Sequence, residues 1–146
     1  PVMVPAKGRY MMVDDLPRFA KLYDVPLNNN PHFPINTLNL MRGAVALLDG
    51  EYFETYIDAV FNAIWVDSKN MANIETVSEV LSSAGLNPQA ILTSTQSPDV
   101  KETLITNTGK AVERGLFGAP TMFMDGEMFF GQDRLQFVEA ALQQKS

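Results

Sequence analysis

Apolar positions recur at helical spacing through most of the chain. In "YMMVDDLPRFAKLYDVP" the residues Leu16, Phe19, Ala20 and Tyr23 fall three and four apart, with Pro17 at a first-turn position, Asp14 or Asp15 as cap and Val25-Pro26 as the stop. "LNNNPHFPIN" reads as a loop, after which Asn36 can cap a helix carrying Leu38, Met41, Val45 and Leu48 and ending at Asp49-Gly50. "EYFETYIDAVFNAIW" puts Phe53, Ile57, Val60, Phe61 and Ile64 on one stripe that faces a core. Asn73 then caps a helix with Ile74, Val77, Val80, Leu81 and Ala84 inward, and Gly85 stands where a left-handed C-cap belongs. Asn87-Pro88 and Ser97-Pro98 each open a further helix, the second with Val100, Leu104, Thr108 and Ala111 on one face.

The period changes after Gly115. Asp125-Gly126 is the dipeptide of a two-residue type I′ turn, which needs positive φ at both positions, and apolar runs flank it. Thr121 and Phe123 point to one face and Met122 and Met124 to the other, while in the return strand Met128 and Phe130 oppose Glu127 and Phe129. A ribbon apolar on both faces belongs inside a larger sheet covered by helices, yet no earlier segment offers a partner strand. The expectation is that the remaining strands lie outside this sequence, in a preceding segment or in another chain. "GQDRLQFVEAAL" then starts a helix, with Asp133 and Gln136 as a capping box and Leu135, Val138, Ala141 and Leu142 inward. The order Pro-strand-turn-strand-helix is that of the C-terminal half of a thioredoxin-like fold.

Composition narrows the chemistry. At 146 residues and 46% hydrophobic the chain can bury a core of its own. A net charge of -6 with dispersed Lys and Arg argues against non-specific nucleic-acid binding, and no apolar run is long enough for a membrane span. With no signal pattern at the N-terminus, a soluble, cytoplasmic protein is expected. Cysteine is absent, so this chain holds no disulfide, thiolate metal site or Cys nucleophile. The single histidine, His32, lies between two prolines without a second imidazole to complete a metal site, and reads as a loop residue.

"GAPTMFMDGEMFFGQDRLQFVEAAL", with "PAKGRYMMVDDLPRFAKLYDVPL" and "HFPIN" upstream, resembles the 2-hydroxychromene-2-carboxylate isomerases and kappa-class glutathione transferases of the DsbA-like branch of the thioredoxin superfamily. The resemblance runs from about Pro5 to the end. It implies an α/β, thioredoxin-like fold with a helical insertion, residues 1–115 forming the insertion and 116–146 the closing hairpin and helix. It also implies that the activating Ser, or in the redox branch Cys, lies in a first strand-helix-strand unit with no counterpart here, so that no catalytic residue is in this chain and the chain alone is inactive. The implied reaction is isomerisation of an aromatic pyruvate-type acid: a glutathione thiolate adds to the substrate, a former double bond rotates, and the thiolate is eliminated. A kappa-type transferase, a DsbA-like thiol oxidoreductase and a non-enzymatic module completing its sheet with a partner remain open alternatives. Family members are commonly homodimers.

The resemblance also assigns roles by position. Ala119-Pro120 would be a cis pair whose backbone meets the cysteinyl part of glutathione, where the residues alone read as a strand-starting proline. Gln132 and Asp133 would hold the γ-glutamyl end at a helix start, a role compatible with capping. Lys7 and Tyr10 fall by analogy on the approach to that cleft, Lys7 facing an acidic group or standing as a solvated charge. Asn36 and Thr37 match substrate-contacting positions of the isomerases, although the residues themselves read as a helix cap. An Asn that family members place just upstream of the Lys has no match between Pro1 and Ala6.

Overall fold

The computed structural model describes residues 5–143. Eight α-helices and one hairpin follow in the order α1 (Pro5–Tyr10), a π-helical turn (Met11–Asp15), α2 (Leu16–Tyr23), α3 (Leu38–Leu47), α4 (Phe53–Trp65), α5 (Ile74–Ser83), α6 (Pro88–Ser94), α7 (Pro98–Glu113), β1 (Thr121–Met124), β2 (Glu127–Phe130), a 3-10 turn (Gln132–Arg134) and α8 (Leu135–Gln143). They form two compact units, Pro1–Leu104 and Ile105–Ser146.

In the first unit α3 packs on α4 and α6, and α5 on α4 and α6. Their shared core is Leu40, Tyr56, Val60, Ala63, Ile64, Met71, Val77, Val80, Leu81, Leu86 and Ile91. Asn73 and Asn87 cap α5 and α6 as expected, accepting from the Thr76 and Ala90 amides at 2.9 and 3.1 Å, and Gly85 has positive φ. Ile74, expected inward, is exposed, whereas Val77, Val80 and Leu81 are buried.

The α3 face is rotated from the sequence reading, and the α4 face keeps Ile57, Val60 and Ile64 inward but not Phe61. In α3 the inward residues are Leu40 and Gly43, with Ala44 and Leu47 partly buried, while Leu38, Met41 and Leu48 are exposed. In α4 Tyr56 and Ala63 join Val60 and Ile64 inside, and Phe61 is 59% exposed. The cause is one close approach. The Tyr56 hydroxyl donates to the Leu40 carbonyl at 2.9 Å, and its ring lies where a Cβ on residue 43 would have to stand. Only glycine admits the phenol there, so the helices meet along Gly43 rather than along their bulkiest side chains.

The break between α1 and α2 is also not a capped start. Neither Asp14 nor Asp15 forms a capped helix start: the Asp15 side chain makes no cap bond, and the Leu16 amide reaches back five residues to the Met11 carbonyl. Pro17 lacks an amide hydrogen and would press on the carbonyl four residues back in a regular helix; the wider π-helical turn relieves this without ending the helix.

In the second unit the hairpin has the expected register, Met124 opposite Glu127 and Thr121 opposite Phe130. Asp125 and Gly126 both take positive φ, as a type I′ turn requires. Among the described residues these two strands are the whole sheet. α8 packs against both strands but buries no residue, and Leu135 and Leu142 of its expected inward face are exposed. The capping box does not form. Asp133 lies inside the 3-10 turn instead of before it, and its carboxylate pairs with Arg134. In α7 Val100, Leu104 and Ala111 are half-buried and Thr108 is exposed.

Gly43→Ala is expected to lower unfolding free energy by about 1–3 kcal/mol through overpacking, and by less when introduced into Tyr56→Phe, which removes the obstructing hydroxyl. Denaturant melts of the four proteins in that cycle measure the coupling. Burial pushes the Tyr56 phenol up to about 12. Its folded pKa exceeds the unfolded value near 10, so its contribution to stability is full below about pH 10 and is lost as pH rises through about 12. In Tyr56→Phe the fall in melting temperature over that window should be shallower.

Candidate functional site

The loop between α2 and α3 is held by the end of α4. That helix leaves carbonyls without partners at its C-terminus, and asparagines satisfy several of them. The Asn28 amide donates to the Trp65 carbonyl at 2.6 Å and its side chain donates to Val66. Buried Asn30 donates to Ile64 at 2.8 Å and to Lys69 at 3.0 Å, and its oxygen accepts from the His32 amide at 2.8 Å. The remaining turn closes on itself through Val66 and Asp67 to Asn62, and Lys69 to Ala63. His32 is an exposed loop residue.

This anchoring sets Phe33 against Trp65, ring centroids 5.5 Å apart and tilted by 46°. Between that pair, α3 and α4 runs a groove of about 180 Å³. Leu40, Val60 and Ile64 are its buried floor, and Phe33, Met41 and Phe61 its exposed rim. Thr37 supplies the one side-chain hydroxyl in its lining. Asn36 does not cap α3 in the ordinary position: its oxygen accepts from the Leu38 amide at 3.1 Å, two residues on, while Thr37 occupies the cap position and makes no side-chain cap bond. The Thr37 hydroxyl is thus not committed to the helix. Lys7 and Tyr10 lie exposed on α1, and the Tyr10 hydroxyl accepts from Arg18 at 3.0 Å.

In the second unit the structure brings Ala119, Pro120, Gln132 and Asp133 together. The Ala119-Pro120 bond is cis, as the resemblance implies, and the Gly131 amide donates to the Pro120 carbonyl at 3.0 Å, closing the ladder one residue before Gln132. Ala119 and Pro120 are exposed and Gln132 is half-buried. Gly131, at φ 105°, holds the Asp133 carboxylate close, since a Cβ there would come 2.5 Å from Oδ1. The other oxygen, Oδ2, meets Arg134. That exposed pair is worth no more than about 1 kcal/mol and yields readily to another cation.

Sequence reasoning missed three features: the cis Phe33-Pro34 bond, the groove, and the guanidinium of Arg114 at 3.8 Å from the Phe123 ring centroid. Phe117 packs on Phe130 beside it, centroids 4.7 Å apart. The signal available for the groove was a surplus of large apolar residues on α3 and α4, more than one buried face can use.

A helical segment, a cis-proline before an antiparallel hairpin and a closing helix are the parts of a thioredoxin-like protein, and the sequence matches the DSBA-like thioredoxin domain family over residues 1–143. The chain belongs to that family. Among its relatives are the 2-hydroxychromene-2-carboxylate isomerases of Sphingobium xenophagum, 30% identical over 135 residues (90% of this chain, 67% of the relative), and of Pseudomonas putida, 32% identical over 137 residues (91% and 64%). Glutathione S-transferase kappa 1 of Rattus norvegicus is 29% identical over 159 residues (99% and 70%). The chain therefore spans about two thirds of the length of these relatives. A solved structure of 2-hydroxychromene-2-carboxylate isomerase superposes with a TM-score of 0.84 at 30% identity, over 95% of this chain and 67% of that one. A putative protein disulfide isomerase from Nitrosomonas europaea shares the fold, with a TM-score of 0.66 at 16% identity over 99% and 78% of the two chains. Among the described residues no helix is long and apolar enough to cross a membrane.

Asn30→Ala should cost about 2 kcal/mol or more, because two carbonyls lose their donor in a buried setting. Denaturant melts measure that cost, and Trp65, the single tryptophan, should shift its emission to the red as Phe33 is released.

Proposed function

We propose that this chain is part of a glutathione-dependent isomerase of the 2-hydroxychromene-2-carboxylate isomerase type, acting on an aromatic pyruvate-type acid. The observation that carries the reading is the superposition on 2-hydroxychromene-2-carboxylate isomerase over nearly the whole chain at 30% identity. Residues 1–115 would serve as the helical insertion and 116–146 as the closing part of the thioredoxin-like domain. A cytoplasmic homodimer is the assembly proposed with it.

The residues present suit a glutathione. Ala119 is exposed beyond the end of the hairpin ladder, where its backbone can pair with an extended peptide as an added strand does. Asp133 is exposed, and the α-ammonium of a γ-glutamyl group can displace Arg134 from it at little cost. Gln132 stands beside it at the start of the 3-10 turn. Bound there, glutathione supplies a thiol nucleophile. This chain's part is to hold that peptide in register through Ala119, Pro120, Gln132 and Asp133, and to bind the acid substrate through Thr37 and Asn36, with Lys7 and Tyr10 as further contacts. The Asn36 oxygen is engaged with the Leu38 amide, so its free amide hydrogens are what it can offer a substrate. Lys7, exposed, can meet a carboxylate, while the Tyr10 hydroxyl, accepting from Arg18, keeps its own O–H to donate.

A kappa-type transferase using the same glutathione contacts is the second reading, favoured by the 99% coverage of this chain by the rat enzyme. Calorimetric titration with glutathione tests the shared element. Binding should weaken about tenfold in Asp133→Ala if one charge-assisted contact is lost, and an unchanged affinity removes Asp133 from the site.

A further inference from the structure

In the second unit a side chain not yet given any task holds the backbone on either side of Ala119. Thr121, the first residue of β1, is half-buried, and its hydroxyl donates back to the Gly118 carbonyl at 2.6 Å. That carbonyl and the Ala119 amide belong to one peptide unit. In a trans peptide the C=O and the N–H point to opposite sides of the chain, so fixing the Gly118 oxygen on Thr121 aims the Ala119 N–H the other way. Two residues on, the Gly131 amide fixes the Pro120 carbonyl at 3.0 Å. Ala119 thus stands between two pinned peptide units. It is exposed, and among the described residues neither its amide nor its carbonyl has a partner.

The packing around Gly118 supports the bond. Phe130 is the cross-strand neighbour of Thr121, and its ring lies against Gly118 so closely that a Cβ there would come 2.8 Å from it. Phe117 packs on the same ring. The bond from Thr121 is part-buried, which limits competition from water. Glycine is what lets the ring approach, but glycine also leaves the backbone at 118 free to turn. The hydroxyl of Thr121 takes that freedom away.

We propose that Thr121 is a positioning residue: through the Gly118 carbonyl it presets the Ala119 N–H toward the carbonyl of an incoming extended peptide. Thr121 touches no ligand itself, and its role rests on the glutathione reading above only for the identity of that peptide. Without the hydroxyl, a ligand must order the Gly118-Ala119 unit on binding, and affinity falls by the cost of that ordering.

The test uses the full 146-residue chain labelled with nitrogen-15. Thr121→Val keeps the side-chain shape and the strand preference but loses the donor, whereas Thr121→Ser keeps the donor. The heteronuclear NOE of the Ala119 amide should drop in Thr121→Val and hold the parent value in Thr121→Ser, with the Gly131 amide the same in all three. In calorimetric titration Thr121→Val should bind glutathione about fivefold more weakly, and Thr121→Ser should match the parent. Loosening confined to Ala119 and rescued by a hydroxyl is not what a general loss of stability produces.

An Ala119 amide as well ordered in Thr121→Val as in the parent overturns the assignment. So does a Thr121→Val chain that binds glutathione as tightly as the parent, or a Thr121→Ser chain that restores neither signal. A parent chain that does not bind glutathione, with the Ala119 pattern intact across the variants, strikes the glutathione reading alone and leaves the role of Thr121 standing.

Discussion

The phenol of Tyr56, lying over Gly43 and bonded to the Leu40 carbonyl, fixes how α3 and α4 turn toward each other. Each helix carries more apolar residues than one face can bury, so sequence alone permits several rotations. The buried hydroxyl removes that freedom, because inside a core it must find an acceptor, and the acceptor lies on the far side of the one position with no side chain. Once Gly43 is chosen as the contact, Met41 on α3 and Phe61 on α4 are turned outward. The groove between them is therefore a by-product of satisfying one hydrogen bond. Its apolar rim and the core's closest contact have the same origin.

Legibility followed the range of the interaction. Caps at Asn73 and Asn87 and the turn at Asp125-Gly126 depend on neighbours within four residues, and each formed as read from the chain. The hairpin register followed from its turn. The face of α3 and the place of Phe61 on α4 were read wrongly, while Ile57, Val60 and Ile64 face the core as read, because hydrophobic spacing weighs Phe61 and Met41 heavily and gives Gly43 no weight. Tyr56 was not on the stripe read from the chain, and its hydroxyl, bonded to the Leu40 carbonyl, is what places it inside. At the C-terminal end the motif Asp133 to Gln136 was a sound local pattern that lost to Gly131. A glycine at φ 105° brings the chain into a 3-10 turn too early for Asp133 to stand outside the helix.

Of the candidate site, the part that depends on order along the chain was legible and the part that depends on folding was not. Ala119, Pro120, Gln132 and Asp133 are joined through one backbone bond from Gly131 to Pro120, which a hairpin beginning at Thr121 makes inevitable. Thr37 gained its place from a longer chain of causes: Asn28 and Asn30 tie the loop to the end of α4, the loop delivers Phe33 to Trp65, and Asn36 accepts from the Leu38 amide, which leaves Thr37 at the cap position without a side-chain cap bond. The hairpin itself keeps Met128 and Phe130 exposed, and α8 keeps Leu135, Phe137 and Leu142 exposed. Two strands alone are marginal, and the apolar surface here is of the kind that further strands or helices cover in a thioredoxin-like domain.

The π-helical turn at residues 11–15 is, in register, one residue more than a regular helix would use to cover the same rise. An α-helix turns about 100° per residue, so that extra residue resets the angular position of everything before it relative to everything after. Removing one residue between Met11 and Asp15 would keep a helix through this stretch while swinging Lys7 and Tyr10 about 100° away from their present bearing on Phe19 and Tyr23. The side on which α1 presents Lys7 is thus fixed by a count of residues.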